Sequence, residues 1–327
     1  MTGAGIRSAR GAAKRRGIAV RLLAPIFWLF LVVSFSLFLS EEAARHAIEG
    51  IRLAVMSVIP TAFPCMLICD LYSTFGAPER LRLVGWVFSR LFGISPVGLR
   101  AYLLGNLCGF PMGAREAAVA FGRGELDRRE AELLIPLSSN PSPSFTVGAV
   151  GAVMLGKWRL GILLLLSTVL SSVVCGVIFR LRRERKKIGV KTERQAVVVG
   201  QKYSFVESVK GAASSSLIII AFISAFSVLL GFIKEHVTFA PLCALLFSLL
   251  EVTGGVGYFA AQAGLSELLR GALIAFTLGF GGISVAVQSA AFISESGLTM
   301  RKYLPVKLTQ GVISALLFSL AYSFIPI

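Results

Sequence analysis

Glu251 is an acidic residue inside an apolar stretch, since the ten residues before it are apolar or small apart from Ser248. An ionisable side chain within a membrane helix is costly and is by default a candidate for function. It could take a coupling proton, bind a cation or pair with Arg115. It could equally serve the structure, as the partner of a backbone donor or of a basic side chain.

A second unusual stretch is GNLCGFPMGARE, which holds three glycines, a proline and an adjacent Arg-Glu pair within an apolar chain. Pro111 removes a backbone donor, and Gly109 and Gly113 allow the helix to unwind locally. The later stretch GFGGISVAVQSAAF offers Gly281 and Gly282 for the same purpose. The sequence therefore predicts a helix break in each half of the chain.

Backbone groups freed by such a break must face protein or a water-filled cavity, because lipid cannot hydrogen-bond to them. The N-terminal end of a half-helix is positively polarised and suits an anion. The alternative is a packing kink, in which the glycines only allow close approach of two helices. Two breaks at corresponding places favour a binding site.

Hydroxyl and amide side chains cluster close to the predicted breaks. Such groups can hold a carboxylate or a ring nitrogen. In the first half they are Asn106, Ser138, Ser139, Asn140, Ser142 and Ser144, and in the second half Thr277, Ser284, Gln288, Ser289, Thr309 and Gln310.

The elements that must position these residues are membrane helices. The chain has 327 residues, of which 55% are hydrophobic and 15% charged, too apolar for a soluble domain. Several stretches reach the roughly 20 apolar residues that a spanning helix needs. No enzyme motif or metal-ligand pattern is found in the sequence, so we expect no enzymatic activity, no metal and no cofactor. The coupling ion, H⁺ or Na⁺, is left open.

The net charge of +16 is concentrated in two segments that flank apolar spans. Residues 1–21 contain six Lys/Arg and no acid, and residues 180–202 contain nine Lys/Arg and two Glu. This pattern is typical of cytoplasmic segments, and we expect the bilayer rather than a nucleic acid as the partner. The domains predicted are a basic arm 1–21, a transmembrane helix 22–40, a first repeat 45–179, the basic loop 180–202 and a second repeat 203–327.

Two cytoplasmic basic segments require an even number of crossings between them, so the two repeats would have opposite orientations. The sequence supports this, since residues 109–121 align with 279–292 and residues 124–140 align with 296–310. Weak internal symmetry of this kind is typical of secondary transporters. We therefore expect an all-α polytopic fold of two inverted repeats with broken or re-entrant helices and one extra N-terminal helix. The C-terminus would lie on the side opposite to the basic segments.

These stretches, together with SSNPSPSFTVGAVG and LLEVTGG, resemble the sporulation stage V integral membrane protein family (SpoVV or YlbJ type). That family lies in the group with nucleoside-recognition gate domains. The resemblance covers about residues 45–325. It implies a cell-membrane transporter of a small organic solute, for which we favour an anion such as dipicolinate during spore formation. Motion of one inverted repeat against the other would alternate access.

A nucleoside transporter and a non-transporting scaffold of an envelope complex remain alternatives, and the oligomeric state is open, a homo-oligomer included. Arg115 and the polar side chains would hold carboxylates, and Phe110 and Met112 would pack on a ring. The residues expected to bind the solute are Asn106, Gly109, Phe110, Pro111, Met112, Gly113, Arg115, Ser138, Ser139, Asn140, Ser142, Glu251, Gly281, Gly282, Ser284 and Gln288.

Overall fold

A computed structural model describes residues 41–75, 89–91, 93–184, 205–237, 240–294 and 296–324, and this part of the chain is helical without strands. The predicted arm 1–21, the predicted helix 22–40 and most of the loop 180–202 lie outside it. The segments are α1 Glu41–Leu53, π1 Ala54–Val58, α2 Ile59–Phe75, α3 Pro96–Cys108, α4 Met112–Gly122, α5 Arg128–Ser138, π2 Ser144–Met154, α6 Trp158–Glu184, α7 Phe205–His236, α8 Ala240–Leu250, α9 Val252–Ala260, α10 Glu267–Phe280, α11 Gly282–Ile293 and α12 Tyr303–Phe324.

Four helical stretches among the described residues are long and apolar enough to cross a membrane: Trp158–Arg180, Phe205–His236, Glu267–Ile293 and Tyr303–Phe324. Large apolar side chains on their outer faces are exposed, as Leu166 on α6 is, which suits contact with lipid. The chain is therefore an all-α polytopic membrane protein, as the composition predicts.

The first predicted break is the tip of a helical hairpin formed by α3 and α4. Ser95 caps the start of α3 with its hydroxyl. Gly109 ends the helix with φ 85°, a backbone conformation that favours glycine, and Pro111 precedes α4. At the open end, Arg100 forms a 2.9 Å ion pair with Glu125, so the chain enters and leaves the hairpin at the same end.

The next segment is interrupted between α5 and π2. Asp127 caps α5, since its carboxylate accepts a hydrogen bond from the backbone N–H of Glu130 at 2.8 Å. Residues 139–143 separate the two helices and contain Pro141 and Pro143, which prevent a regular helix there. This is the second break at which backbone N–H and C=O groups lack helical hydrogen-bond partners.

Helix α6 packs along both parts of this segment. Its first turns pack on π2, where Gly161 and Gly151 approach so closely that a side chain on either would meet the other's backbone. Its later turns reach the α3–α4 hairpin, where the Ser172 hydroxyl lies 2.6 Å from the hydroxyl of Tyr102.

In the second half, α8 and α9 form a further hairpin, whose tip is Glu251 in an extended conformation (φ −145°, ψ 128°). The rings of Phe247 and Tyr258, one from each helix, lie 5.5 Å apart. A side chain at Gly255 would meet the backbone of Ser248, which shows how closely the two helices pack.

The break between α10 and α11 falls at Gly281, with φ 82°. Before it, Glu267 pairs with Lys157 at 2.7 Å, and after it the carbonyl of Gly297 accepts a 2.6 Å hydrogen bond from Arg128. Lys157 and Arg128 lie at opposite ends of the α5–π2 segment. The segment containing Gly281 therefore runs the length of the molecule, whereas the aligned first-half segment turns back as a hairpin.

Helix α12 packs closely on α10. Gly279 approaches Gly311, and a side chain at Gly271 would overlap the ring of Phe318. The long helix α7 packs on α1, where the imidazole of His46 contacts the Glu235 carboxylate at 2.9 Å.

Candidate functional site

A cavity of about 200 Å³ lies where the two hairpin tips meet the segments that follow the two helix breaks. The α3–α4 tip contributes Phe110, and the α8–α9 tip contributes Glu251 and Thr253. The lining also includes Pro141, Ser142, Ser144 and Phe145 and two residues of α11, and apolar side chains of the α1–π1–α2 segment and of α7 complete the wall. Both halves of the chain therefore build one site.

Glu251 is 7% exposed and lines the cavity. Its carboxylate caps α9, since Oε2 accepts a 2.6 Å hydrogen bond from the backbone N–H of Gly254. A carboxylate at a helix N-terminus is stabilised by the orphan N–H groups and by the helix dipole. Among the described residues that line the cavity, Glu251 is the one Asp, Glu, Lys or Arg.

Gln288 lies on α11, is 5% exposed and lines the cavity. Its side-chain amide makes no hydrogen bond to any described residue, although an amide offers two donors and an acceptor. One turn earlier, the hydroxyl of Ser284 is 1% exposed and also has no partner in the described part of the chain. Unsatisfied buried polar groups are rare in proteins, and a ligand or bound water is the usual reason.

Hydroxyl groups lie on the opposite wall, at the start of π2. The hydroxyls of Ser142 and Ser144 are 3.0 Å apart, and the Ser142 hydroxyl accepts a hydrogen bond of 3.2 Å from the backbone N–H of Phe145. The rings of Phe110 and Phe145 form the aromatic part of the lining. The cavity thus combines flat apolar surfaces with a few polar groups, which is the usual composition of a small-molecule site.

The tip of the first hairpin sits directly on this wall. A side chain at Gly109 would come within 2.9 Å of the backbone nitrogen of Ser142, and the glycine already has φ 85°. Only a glycine therefore fits between the two segments without displacing one of them. The contact fixes Phe110, the next residue, at the cavity wall.

A network of amides lies behind Phe110 and joins the two halves. Asn140 donates to the side-chain oxygen of Asn106 at 3.0 Å and accepts from Gln310 at 2.6 Å. The amides also donate to backbone carbonyls, which can only accept: Asn106 to Tyr102, Asn140 to Leu137, and Gln310 to Thr168. These carbonyls determine how each amide is oriented.

Lys307 of α12 completes this network and is fully buried. Its ammonium donates to the backbone oxygen of Ser139 (2.6 Å), to Gln310 Oε1 (2.9 Å) and to Asn140 Oδ1 (3.4 Å). Three acceptors match the three N–H groups of a charged lysine. The ammonium also lies over the Phe110 ring, 5.8 Å from its centre, and Lys307 is not among the described residues that line the cavity.

Sequence reasoning missed Lys307. The signal was present, because a lysine inside the apolar span 303–322 is as unusual as Glu251. Thr253 and Phe145 were also missed, and nothing in their residue types marks them as lining residues.

Of the residues predicted to bind the solute, five line the cavity: Gly109, Phe110, Ser142, Glu251 and Gln288. A second group lies in the amide network or packs beside it and the breaks. It consists of Asn106, Pro111, Met112, Gly113, Ser138, Ser139, Asn140, Gly281, Gly282 and Ser284. Roles in binding for these residues stay predictions.

Arg115 is 8% exposed and is not among the described residues that line the cavity. Its guanidinium forms a 3.1 Å ion pair with the neighbouring Glu116, and its Nε donates to the Ser215 hydroxyl of α7 at 3.3 Å. Its predicted role in holding a negative charge also stays a prediction.

Comparison with known proteins gives one informative match. The chain is 26% identical over 337 aligned positions to the sporulation integral membrane protein YlbJ of Bacillus subtilis strain 168, covering 89% of this chain and 82% of that protein. No protein-family model matches the chain, so the wider gate-domain group stays a prediction, and no solved structure matches it. The similarity along most of the chain supports its place in the YlbJ-like family of sporulation membrane proteins.

Proposed function

We propose that this protein is a transporter of a small organic solute in the cell membrane, and that the cavity is its binding site. One observation carries the proposal: a single cavity is lined from both halves by two hairpin tips and by the segments after two helix breaks. Transporters with internal repeats typically bind their solutes at such interrupted helices, between the repeats. At about 200 Å³ the cavity is smaller than the roughly 300–1,000 Å³ of typical ligand pockets, which suits a small solute.

The solute we favour is an anion such as dipicolinate, moved during spore formation, as the sporulation name of the relative suggests. The Gln288 amide and the hydroxyls of Ser142 and Ser144 would hold carboxylate groups, helped by the N–H groups at the starts of π2 and α9. A flat ring would pack against Phe110 and Phe145.

A nucleoside-like solute is the second candidate, and a specific observation favours it. The charged group that lines the cavity is the carboxylate of Glu251, which accepts hydrogen bonds from sugar hydroxyls or base N–H groups. The Gln288 amide can donate and accept at once, as recognition of a base edge requires.

We further propose that the two halves are inverted repeats and move against one another to alternate access. The support lies in the order of elements: a hairpin (α3–α4), a broken segment (α5–π2) and a long helix (α6) recur as α8–α9, α10–α11 and α12. This correspondence between elements, which follows from how they pack, differs from the one in the sequence alignment. The alignment matches the first hairpin with α10–α11. The basic segments 1–21 and 180–202 would face the cytoplasm, and the end of α12 the opposite side.

A ligand-stabilisation and uptake assay tests the proposal. Dipicolinate, other dicarboxylates and nucleosides are added to the purified protein, and the compound that raises its unfolding temperature is then used as labelled solute in vesicles. We expect Gln288→Ala to weaken binding about tenfold, the equivalent of about 1.4 kcal/mol, by removing a polar contact. Gln262→Ala is the matched control, since that amide lies beyond α9 and outside the cavity lining.

A non-transporting scaffold predicts a different result. Vesicles with the wild-type protein would then take up no member of this panel, and deletion of the basic loop 180–202 would disturb the protein's role more than any cavity substitution. If wild type and Gln288→Ala both take up the solute, and do so equally, the transport proposal would stand. The cavity would then not be the binding site.

A further inference from the structure

A bound anion would compete with Glu251 for the same place in the cavity. The carboxylate of Glu251 accepts the 2.6 Å hydrogen bond from Gly254 at the start of α9, where N–H groups would otherwise be available to a bound anion. An ionised Glu251 thus occupies the anion position itself. It also repels a second negative charge across a buried cavity, where solvent screens charges poorly.

Among the described residues that line the cavity, none is a lysine or an arginine that could be a counter-charge for Glu251. The same cavity is lined by Cys108 and Phe110 of the first hairpin, by Phe145 of π2, by Ile219 and Ile223 of α7, and by Gln288 of α11. The two buried basic side chains in the described part of the chain have partners of their own: Arg115 pairs with Glu116, and Lys307 donates to the amide network and to Ser139.

We propose that Glu251 carries the coupling proton of the transporter, so that one proton crosses with each solute anion. The inference rests on the proposed transport function. Where the cavity is open, water delivers a proton that forms an O–H bond with a carboxylate oxygen of Glu251. The neutral acid no longer repels the solute anion. It also accepts hydrogen bonds from the α9 N–H groups more weakly, so these groups then donate to the solute. On the other side the O–H bond breaks, the proton returns to water and the solute leaves unchanged.

The unpartnered amide of Gln288 gives this scheme its second ligand group. It lies in the same cavity, is 5% exposed and has no hydrogen-bond partner among the described residues. A solute carboxylate that bridges this amide and the start of α9 would satisfy both at once. Glu251 lies at the α8–α9 tip and Gln288 on α11, so both of these segments would have to be in place around the solute for the site to close.

The test uses the purified full chain in vesicles with the membrane potential held at zero and labelled dipicolinate as solute. Wild type should accumulate solute about tenfold for each unit of pH difference, because one unit is a tenfold ratio of protons. E251Q keeps the shape of the side chain but cannot gain or lose a proton. In this variant the pH difference should no longer drive accumulation, whatever rate of solute exchange it keeps at equal pH. Glu42→Gln, an exposed acid on α1, is the matched control and should accumulate solute as wild type does.

If E251Q does not fold, a measurement on the wild-type protein tests the inference instead. A pH-sensitive dye outside the vesicles should report proton removal on addition of solute, one proton for each solute taken up. Accumulation by E251Q that still follows the pH difference would overturn the inference, as would wild-type accumulation driven by Na⁺ and indifferent to pH. These results are separate from failure of the transport proposal, in which wild type exchanges no labelled solute at all.

Discussion

The ammonium of Lys307 in α12 donates a 2.6 Å hydrogen bond to the backbone oxygen of Ser139, one residue beyond the end of α5. The cation therefore caps a helix C-terminus that belongs to the other half of the chain, where carbonyl groups lack helical partners. Because Asn140 and Gln310 share the same network, this contact joins the first broken segment to α12. It explains how a lysine can be fully buried without a carboxylate.

Lys307→Met should destabilise the protein strongly. The change keeps most of the volume but leaves the oxygens of Ser139 and Gln310 without their donor, at about 1–3 kcal/mol for each unsatisfied acceptor. Thermal unfolding of the purified protein measures the effect. Lys302→Met, an exposed lysine on the preceding turn, is the control and should change little. Equal unfolding temperatures for the two variants would show that the network does not hold the halves together.

Gly109→Ala should displace the first hairpin tip. The new methyl group would come within 2.9 Å of the Ser142 nitrogen, and the backbone conformation (φ 85°, ψ −173°) costs a non-glycine residue about 1–3 kcal/mol. Solute binding should fall, because Phe110 and Ser142 both line the cavity. Titration of the stabilising solute measures the loss.

Gly122→Ala is the internal control for that substitution. Gly122 lies in α4, has open space around its Cα and has no left-handed φ, so alanine should add up to about 1 kcal/mol of helix propensity. If both alanine variants bind solute as wild type does, the hairpin tip does not shape the site.

The helix breaks could be predicted from the sequence because each rests on a local requirement. Gly109 and Gly281 adopt positive φ, and Pro111, Pro141 and Pro143 remove backbone donors, so residue type alone marks these positions. The contacts that the charged side chains make could not be predicted in the same way. Whether Arg115 faces a solute or Glu116, and whether Lys307 lies in a loop or in the core, depends on which helices pack together. The sequence alignment likewise matched a hairpin with a through-running segment, since similar glycine breaks serve both.

Arg115 and Glu116 should behave as a coupled pair. Both side chains are buried and their ion pair is 3.1 Å long, so Arg115→Met removes a cationic partner of a buried carboxylate at a cost of about 3–5 kcal/mol. Replacing both residues by Met should cost less than the sum of the single changes. A double-mutant cycle on unfolding free energy tests this, and additive effects would contradict a pairing role. Solute affinity of the double variant separately tests the predicted contact of Arg115 with a negative charge.

Linking Lys157 to Glu267 should stop transport if the two halves move. Their side chains meet at 2.7 Å in an exposed ion pair that joins the end of the π2 segment to the start of α10, in opposite halves of the chain. Screened by water, the pair itself contributes only about 0–1 kcal/mol, so replacing it with two cysteines should leave folding intact. Oxidation to a disulfide should block uptake in vesicles, and a reductant should restore it. Each single-cysteine variant, oxidised in the same way, controls for the five native cysteines. Uptake that persists in the fully cross-linked protein would mean that this end of the molecule does not open during transport.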